Sequence, residues 1–263
     1  MEFNNHNIIK IIEKFVKKMN YLDNENFLGI FFYGSYLNGF QNENSDIDLH
    51  IVFNNSNLDH IYRGISYIDD YKIEYFEKNI SDLYLSVDND LIERNGSWYS
   101  MLGTSKILFE QNNELSKLKS YTLNAYSKPL PKMDEQDILE NIAIINNRIE
   151  KLTIACKNDD PSFYNLYHIT IEKIRRFYHA INGYPKINTS KIVKVYKDDL
   201  YRQTYFKGDF VNEEFKMMYF DLIILKTNNK QELLDKIIKF YDYVKDGRKL
   251  EKEFKIKIKS RNK

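Results

Sequence analysis

The residues whose types and spacing suggest chemistry lie in one stretch, FFYGSYLNGFQNENSDIDLHIVF. There Gly34-Ser35 closes a hydrophobic run, ten residues intervene, and Asp46 and Asp48 open the next run, with Ile47 between them. Side chains alternate along a strand, so Asp46 and Asp48 share a face while Ile47, Leu49 and Ile51 point into a core. Two neighbouring carboxylates repel one another unless a cation lies between them, and hard oxygen ligands suit a Mg²⁺ ion that also binds phosphates. Gly34 lets the backbone approach a phosphate closely, and the hydroxyl and N–H of Ser35 can hydrogen-bond to it. These residues together describe a seat for a triphosphate, and Ser45, just before Asp46, is assigned to the same seat as a nucleotide contact.

An in-line attack by a hydroxyl on an α-phosphate calls for a third carboxylate, to hold a second metal or take the proton. In the alternating run YKIEYFE, Glu74 shares a face with Lys72 and Phe76, and it is the expected third acid. Glu77 has the opposite parity, and Asp69 and Asp70 fall in the turn before the strand. His50 follows the aspartates on their face and reads as a packed strand residue. On a helix further along, Lys173 and Arg176 share a flank and are placed as cations for the leaving pyrophosphate.

The elements that position these groups follow from hydrophobic periodicity. Ile8, Ile9, Ile12, Phe15, Val16 and Met19 predict an amphipathic helix ending near Asn20. Strands are expected at 28–33, 46–53 and 71–77, with a weaker one at 105–110. Pro129 and Pro131 mark a boundary. Beyond them the spacing predicts helices over 138–156, 162–182, 190–206, 215–226 and 233–244, punctuated by Pro161, Gly183, Pro185, Gly208 and Asn228-Asn229. The expected organisation is α+β: a mixed sheet with flanking helices over 1–128, a helical bundle over 133–246, and a basic tail over 247–263.

Composition bounds the function. The chain has 263 residues, 43% hydrophobic and 29% charged, with 9 Gly and 4 Pro, which is the balance of a folded chain and excludes disordered and collagen-like classes. Its one cysteine excludes an internal disulfide, and no Cys/His cluster has zinc-ligand spacing. No apolar run approaches the length of a membrane span, and the first residues do not read as a signal peptide, so a cytoplasmic protein is expected. Net charge is −6 over residues 1–130, +1 over 131–246 and +6 over 247–263. The acidic front half argues against nucleic acid as the partner and favours a small-molecule acceptor.

A Gly-Ser, a gap of about ten residues and Asp-x-Asp on the next strand resemble the signature of the polymerase-β-like nucleotidyltransferase superfamily. The order of a small front domain and a helical second half is similar to the aminoglycoside and lincosamide nucleotidyltransferases. The resemblance implies transfer of a nucleoside monophosphate from a nucleoside triphosphate, with ATP as the expected donor, to a hydroxyl of a small molecule, releasing pyrophosphate. It further implies that Gly34 and Ser35 hold the triphosphate, that Asp46 and Asp48 bind Mg²⁺ with Glu74 as ligand or base, that two metal ions take part, and that the site lies in the cleft between the two halves. The alternatives are transfer to RNA or protein, for which the basic tail would serve as a tether, and a nucleotide-binding or antitoxin-like module without turnover.

Overall fold

A computed structural model describes residues 5–54, 62–206, 210 and 212–250. In chain order its elements are α1 (Asn5–Lys18), β1 (Phe27–Tyr33), the short α2 (Ser35–Asn38), β2 (Ile47–Phe53), β3 (Tyr62–Ile68), β4 (Tyr71–Asn79), α3 (Ile80–Ile92), β5 (Lys106–Leu108) and α4 (Glu114–Ala125). The helices α5 (Glu135–Lys157), α6 (Phe163–Asn182), α7 (Ile192–Lys197), α8 (Asp199–Phe206), α9 (Glu213–Ile223) and α10 (Lys230–Lys245) follow. The chain divides into two compact units, Met1–Pro129 with Lys197–Gly208, and Leu130–Tyr196 with Asp209–Lys263.

The first unit is built on a mixed five-stranded sheet of order β3-β4-β2-β1-β5. β1 runs antiparallel to β2 and β5, β3 and β4 form a hairpin through Asp69 and Asp70, and β2 and β4 lie parallel. One sheet face is core: Ile47, Leu49, Ile51 and Ile73 are fully buried and join Ile30 and Phe32 against Ile8, Ile11, Ile12, Phe15 and Val16 of α1. The i, i+3, i+4 stripe of α1 meets the i, i+2 stripe of β2, so two periodicities in the sequence close one apolar layer. The opposite parity on β2, Asp48 and His50, is thereby left for the other face.

Three expectations are corrected here. The strand β3 was not anticipated; its Arg63, Gly64 and Ser66 dilute the hydrophobic pattern, and as an edge strand it leaves Tyr62, Ile65 and Tyr67 half or more exposed. The segment 105–110 pairs only over Lys106–Leu108, because Phe109 adopts a left-handed backbone (φ 58°) that ends the strand. The run 190–206 is not one helix: Asp198 separates α7 from α8 and its Oδ1 accepts the Tyr201 N–H (2.9 Å), capping a new start, and α8 belongs to the first unit.

The second unit, among its described residues, is helical. Asp134, Asn212 and Asn229 accept backbone N–H bonds at the starts of α5, α9 and α10, and α6 ends where Gly183 turns left-handed (φ 70°). α9 stops at Ile223, short of the expected Lys226. Its core includes Leu152, Phe163, Tyr167, Ile174, Phe177, Phe215, Ile237 and Phe240. Gly208 and residues 251–263, which hold most of the basic tail, lie outside the described residues. No helix among the described residues is long and apolar enough to cross a membrane.

Candidate functional site

Strand register brings the acids together. Tyr33, at the end of β1, stands opposite Asp48 on β2, and Asp48 stands beside Glu74 on the parallel β4. Asp46 lies one residue before β2. Gly34 follows β1 with φ 84° and ψ −161°, a conformation available to glycine and costly for other residues. A Cβ at that position would overlap Asp48 Oδ2. Glycine is therefore required twice over, by the backbone angle and by the carboxylate pressed against it.

The carboxylates are neutralised from within the chain. Lys72 Nζ donates to Asp46 Oδ2 (3.0 Å), and Arg63 Nε, from the edge strand, donates to Glu74 Oε1 (2.7 Å). Partial burial alone would raise the Asp46 carboxyl, but the Lys72 hydrogen bond, together with its own backbone and Glu74, holds it below the usual carboxylate range. Lys72 is raised in turn, first by that hydrogen bond. Tyr33 is pushed well above the ordinary phenol value, by burial first and then by the charges of Asp48, Glu74 and Asp46. Its hydroxyl therefore remains a donor beside the acids and not a base.

Deeper on the same face, His50 is packed among Tyr33, Phe76 and Trp98 and is fully buried. Burial, with a smaller push from Lys78, lowers its pKa to about 3, and Nδ1 has no hydrogen-bond partner. It is a packed strand residue, as its position midway along β2 predicts.

The remaining expected site residues have these surroundings. Ser35 opens α2, next to Gly34. Ser45 closes a turn, its Oγ accepting the Asn42 N–H (2.8 Å) and its N–H donating to Asn42 O. Lys173 and Arg176 lie on α6 in the second unit. Arg176 Nε donates to Glu172 Oε1 (2.9 Å), and Lys173 is lowered, first by burial and then by Arg148. Arg63 was missed because β3 was missed; Lys72 was marked by its parity with Glu74.

The donor chemistry at Asp46, Asp48 and Glu74, anionic oxygens beside a backbone with no Cβ, fits a hard divalent cation. Among the described residues no group of three or more His, Cys, Asp and Glu side chains is gathered into a metal-binding cluster. The oxygens of Asp46 and Glu74 face Lys72 and Arg63 instead.

Comparison with known proteins adds to this geometry. Residues 10–114 match the family described as polymerase beta, nucleotidyltransferase. That segment is a nucleotidyltransferase domain of the polymerase-β superfamily. It runs from within α1 to the start of α4, so every strand of the sheet and the acids Asp46, Asp48 and Glu74 lie inside it. Nucleotidyl transfer in general is the chemistry this domain supports. A solved structure of a nucleotidyltransferase-like protein from Exiguobacterium sibiricum 255-15 is similar at 11% identity, with a TM-score of 0.48, covering 89% of this chain and 74% of that one. No curated protein matches the chain.

Proposed function

We propose that the protein transfers a nucleoside monophosphate from a nucleoside triphosphate, with ATP as the expected donor, to a hydroxyl of a small molecule, and that Mg²⁺ is required. The observation that carries this reading is the register of β1, β2 and β4, which sets Gly34 against Asp48 and Asp48 beside Glu74. The acceptor oxygen forms a bond to the α-phosphorus, the bond from phosphorus to the bridging oxygen breaks, and pyrophosphate leaves. Gly34 and Ser35 hold the triphosphate, and Asp46, Asp48 and Glu74 are the residues that would bind the cation. Mg²⁺ held by these residues would supply charge neutralisation for the phosphates. Glu74 serves either as a ligand of the cation or as the base for the acceptor hydroxyl, while Tyr33, held protonated, donates to an anionic oxygen.

The acceptor class rests on charge. The −6 net charge of residues 1–130 favours a polycationic acceptor such as an aminoglycoside over RNA, and a lincosamide would need no such field. The test is pyrophosphate release from each of the four ribonucleoside triphosphates with Mg²⁺, offered aminoglycosides, lincosamides and bulk tRNA, with Asp46→Ala/Asp48→Ala as the control. Release that requires one small acceptor and disappears in the control supports the reading. Release only with tRNA overturns the acceptor class.

A second reading is favoured by one observation: Lys72 and Arg63 already pair with two of the three carboxylates that a metal would need. A nucleotide-binding module without turnover would look this way. It predicts triphosphate binding and no pyrophosphate release with any acceptor.

A further inference from the structure

The Gly34 carbonyl is held by a helix that lies some 170 residues downstream. Tyr205 Oη on α8 donates to Gly34 O (3.0 Å), across a sequence separation of 171. Asn38 donates to the same oxygen twice, from its backbone N–H (3.3 Å) and from Nδ2 (3.1 Å), and Nδ2 also reaches Tyr205 Oη (3.3 Å). Phe40 packs against Tyr201 and Tyr205, ring centroids 5.1 and 5.6 Å apart, so the loop after α2 is fastened to α8 on a second side. All of these residues belong to the first unit.

Tyr205 is 7% exposed and its phenol is pushed up to about 12, chiefly by burial and despite the Asn38 hydrogen bond, so it stays a donor at any physiological pH. The Gly34–Ser35 peptide is trans, and in a planar trans peptide the N–H points opposite to the carbonyl. Fixing the carbonyl toward α8 therefore fixes the Ser35 N–H away from it. With φ at 84° Gly34 has wide conformational freedom, and without those donors nothing in its own chemistry would select one carbonyl direction.

We infer that Tyr205 is a positioning residue, which with Asn38 clamps the Gly34 carbonyl and thereby presets the Ser35 N–H and hydroxyl for an anionic phosphate oxygen. This rests on the reading of Gly34-Ser35 as the triphosphate seat. It gives α8 a task within the nucleotidyltransferase unit although α8 lies outside the residues that match the superfamily.

The test uses the full chain and Tyr205→Phe, which keeps the ring and removes only the hydroxyl. Binding of ATP, GTP, CTP and UTP with Mg²⁺ is measured by calorimetry, and amide hydrogen exchange over residues 34–38 is followed without ligand. The expected result is a Kd for the bound triphosphate about tenfold weaker, faster exchange in that segment, and an unchanged melting temperature. In turnover the KM for triphosphate rises while that for the acceptor does not. Asn38→Ala is expected to weaken binding similarly, and the double variant less than additively, because both donors share one oxygen. Wild-type binding with an unaltered Kd in Tyr205→Phe overturns the inference and leaves the proposed function standing. If the wild type binds none of the four, the triphosphate reading fails; faster exchange in Tyr205→Phe then still supports the clamp, and unaltered exchange overturns it.

Discussion

His50 in the first unit and His179 in the second are both buried, and both are held near a pKa of about 3, chiefly by burial, yet they are treated differently by their surroundings. His179 uses both ring nitrogens, Nδ1 with Pro185 O (2.7 Å) and Nε2 with Tyr196 Oη (2.6 Å). His50 leaves Nδ1 without a partner. The charged groups differ instead in how their partners are held, since the second unit also leaves Arg175 Nη1 without a hydrogen bond. In the second unit Arg175 is fully buried and donates to Glu172 Oε2 (2.9 Å) and Ile187 O (2.9 Å). Burial would raise the Glu172 carboxyl, but hydrogen bonds and charge from Arg175, with Thr189 and Arg176, hold it below its ordinary value. In the first unit Asp46 and Glu74 are met by Lys72 and Arg63, whose side chains are 39% and 64% exposed. Buried polar groups whose bonds are made by neighbours of fixed position serve the fold. Acids whose counter-ions are long, exposed cations can exchange those cations for a ligand, at little cost in stability.

The largest effect that would sharpen this comparison is Asp48→Asn. Pyrophosphate release should fall by roughly 100-fold or more, with a smaller loss of stability than removal of the buried Glu172 charge gives. A loss of stability as large as that for Glu172 would break the distinction. Glu172→Gln should do the opposite. It leaves the buried Arg175 charge without its counter-ion and should cost about 3–5 kcal/mol in denaturant unfolding, with triphosphate binding by the folded fraction unchanged.

Acid titration should expose the two histidines. Each is neutral in the folded chain down to about pH 3 but takes a proton near 6.5 when unfolded. The unfolded state therefore binds more protons between these values. The contribution of each histidine is complete above pH 6.5 and is lost as pH falls toward 3, by on the order of 1.4 kcal/mol per pH unit. Unfolding followed at several pH values checks this slope, and His50→Phe should flatten it by one histidine. At pH 7 the same variant should be neutral or stabilising by about 1 kcal/mol, since it removes an unpartnered buried nitrogen from an aromatic cluster. The smallest effect belongs to the exposed pair Lys14–Asp69, where Lys14→Met should change stability by less than about 1 kcal/mol.

Much of the first unit was legible in the sequence. The stripe Ile8, Ile12, Phe15 and Val16 and the alternation around Ile47, Leu49 and Ile51 are local periodicities, and each element they predict is present. Gly34-Ser35 and the Asp-x-Asp pair lie within one strand-loop-strand segment, so their closeness follows from short-range geometry, and the parity of Glu74 on β4 placed it on the face that carries Asp48. β3 was not legible, because an edge strand buries little and its pattern is correspondingly weak. With it went Arg63, whose partner Glu74 is eleven residues away and comes into reach only through the β3–β4 register.

What the sequence by itself determined is the set of residues that chemistry would need and the elements that carry them: an amphipathic helix, the strands on either side of a Gly-Ser turn, two aspartates of one parity and a glutamate on a later strand. Only the tertiary structure decided which groups meet those residues. Lys72 and Arg63 lie on the acids, Tyr33 is kept protonated beside them, and α8 crosses from the helical part of the sequence to hold the Gly34 carbonyl. The physical reason is range. Periodicity and turn chemistry act over a few residues and are written in local sequence, whereas the partner of a carbonyl 171 residues away is chosen by how whole elements pack.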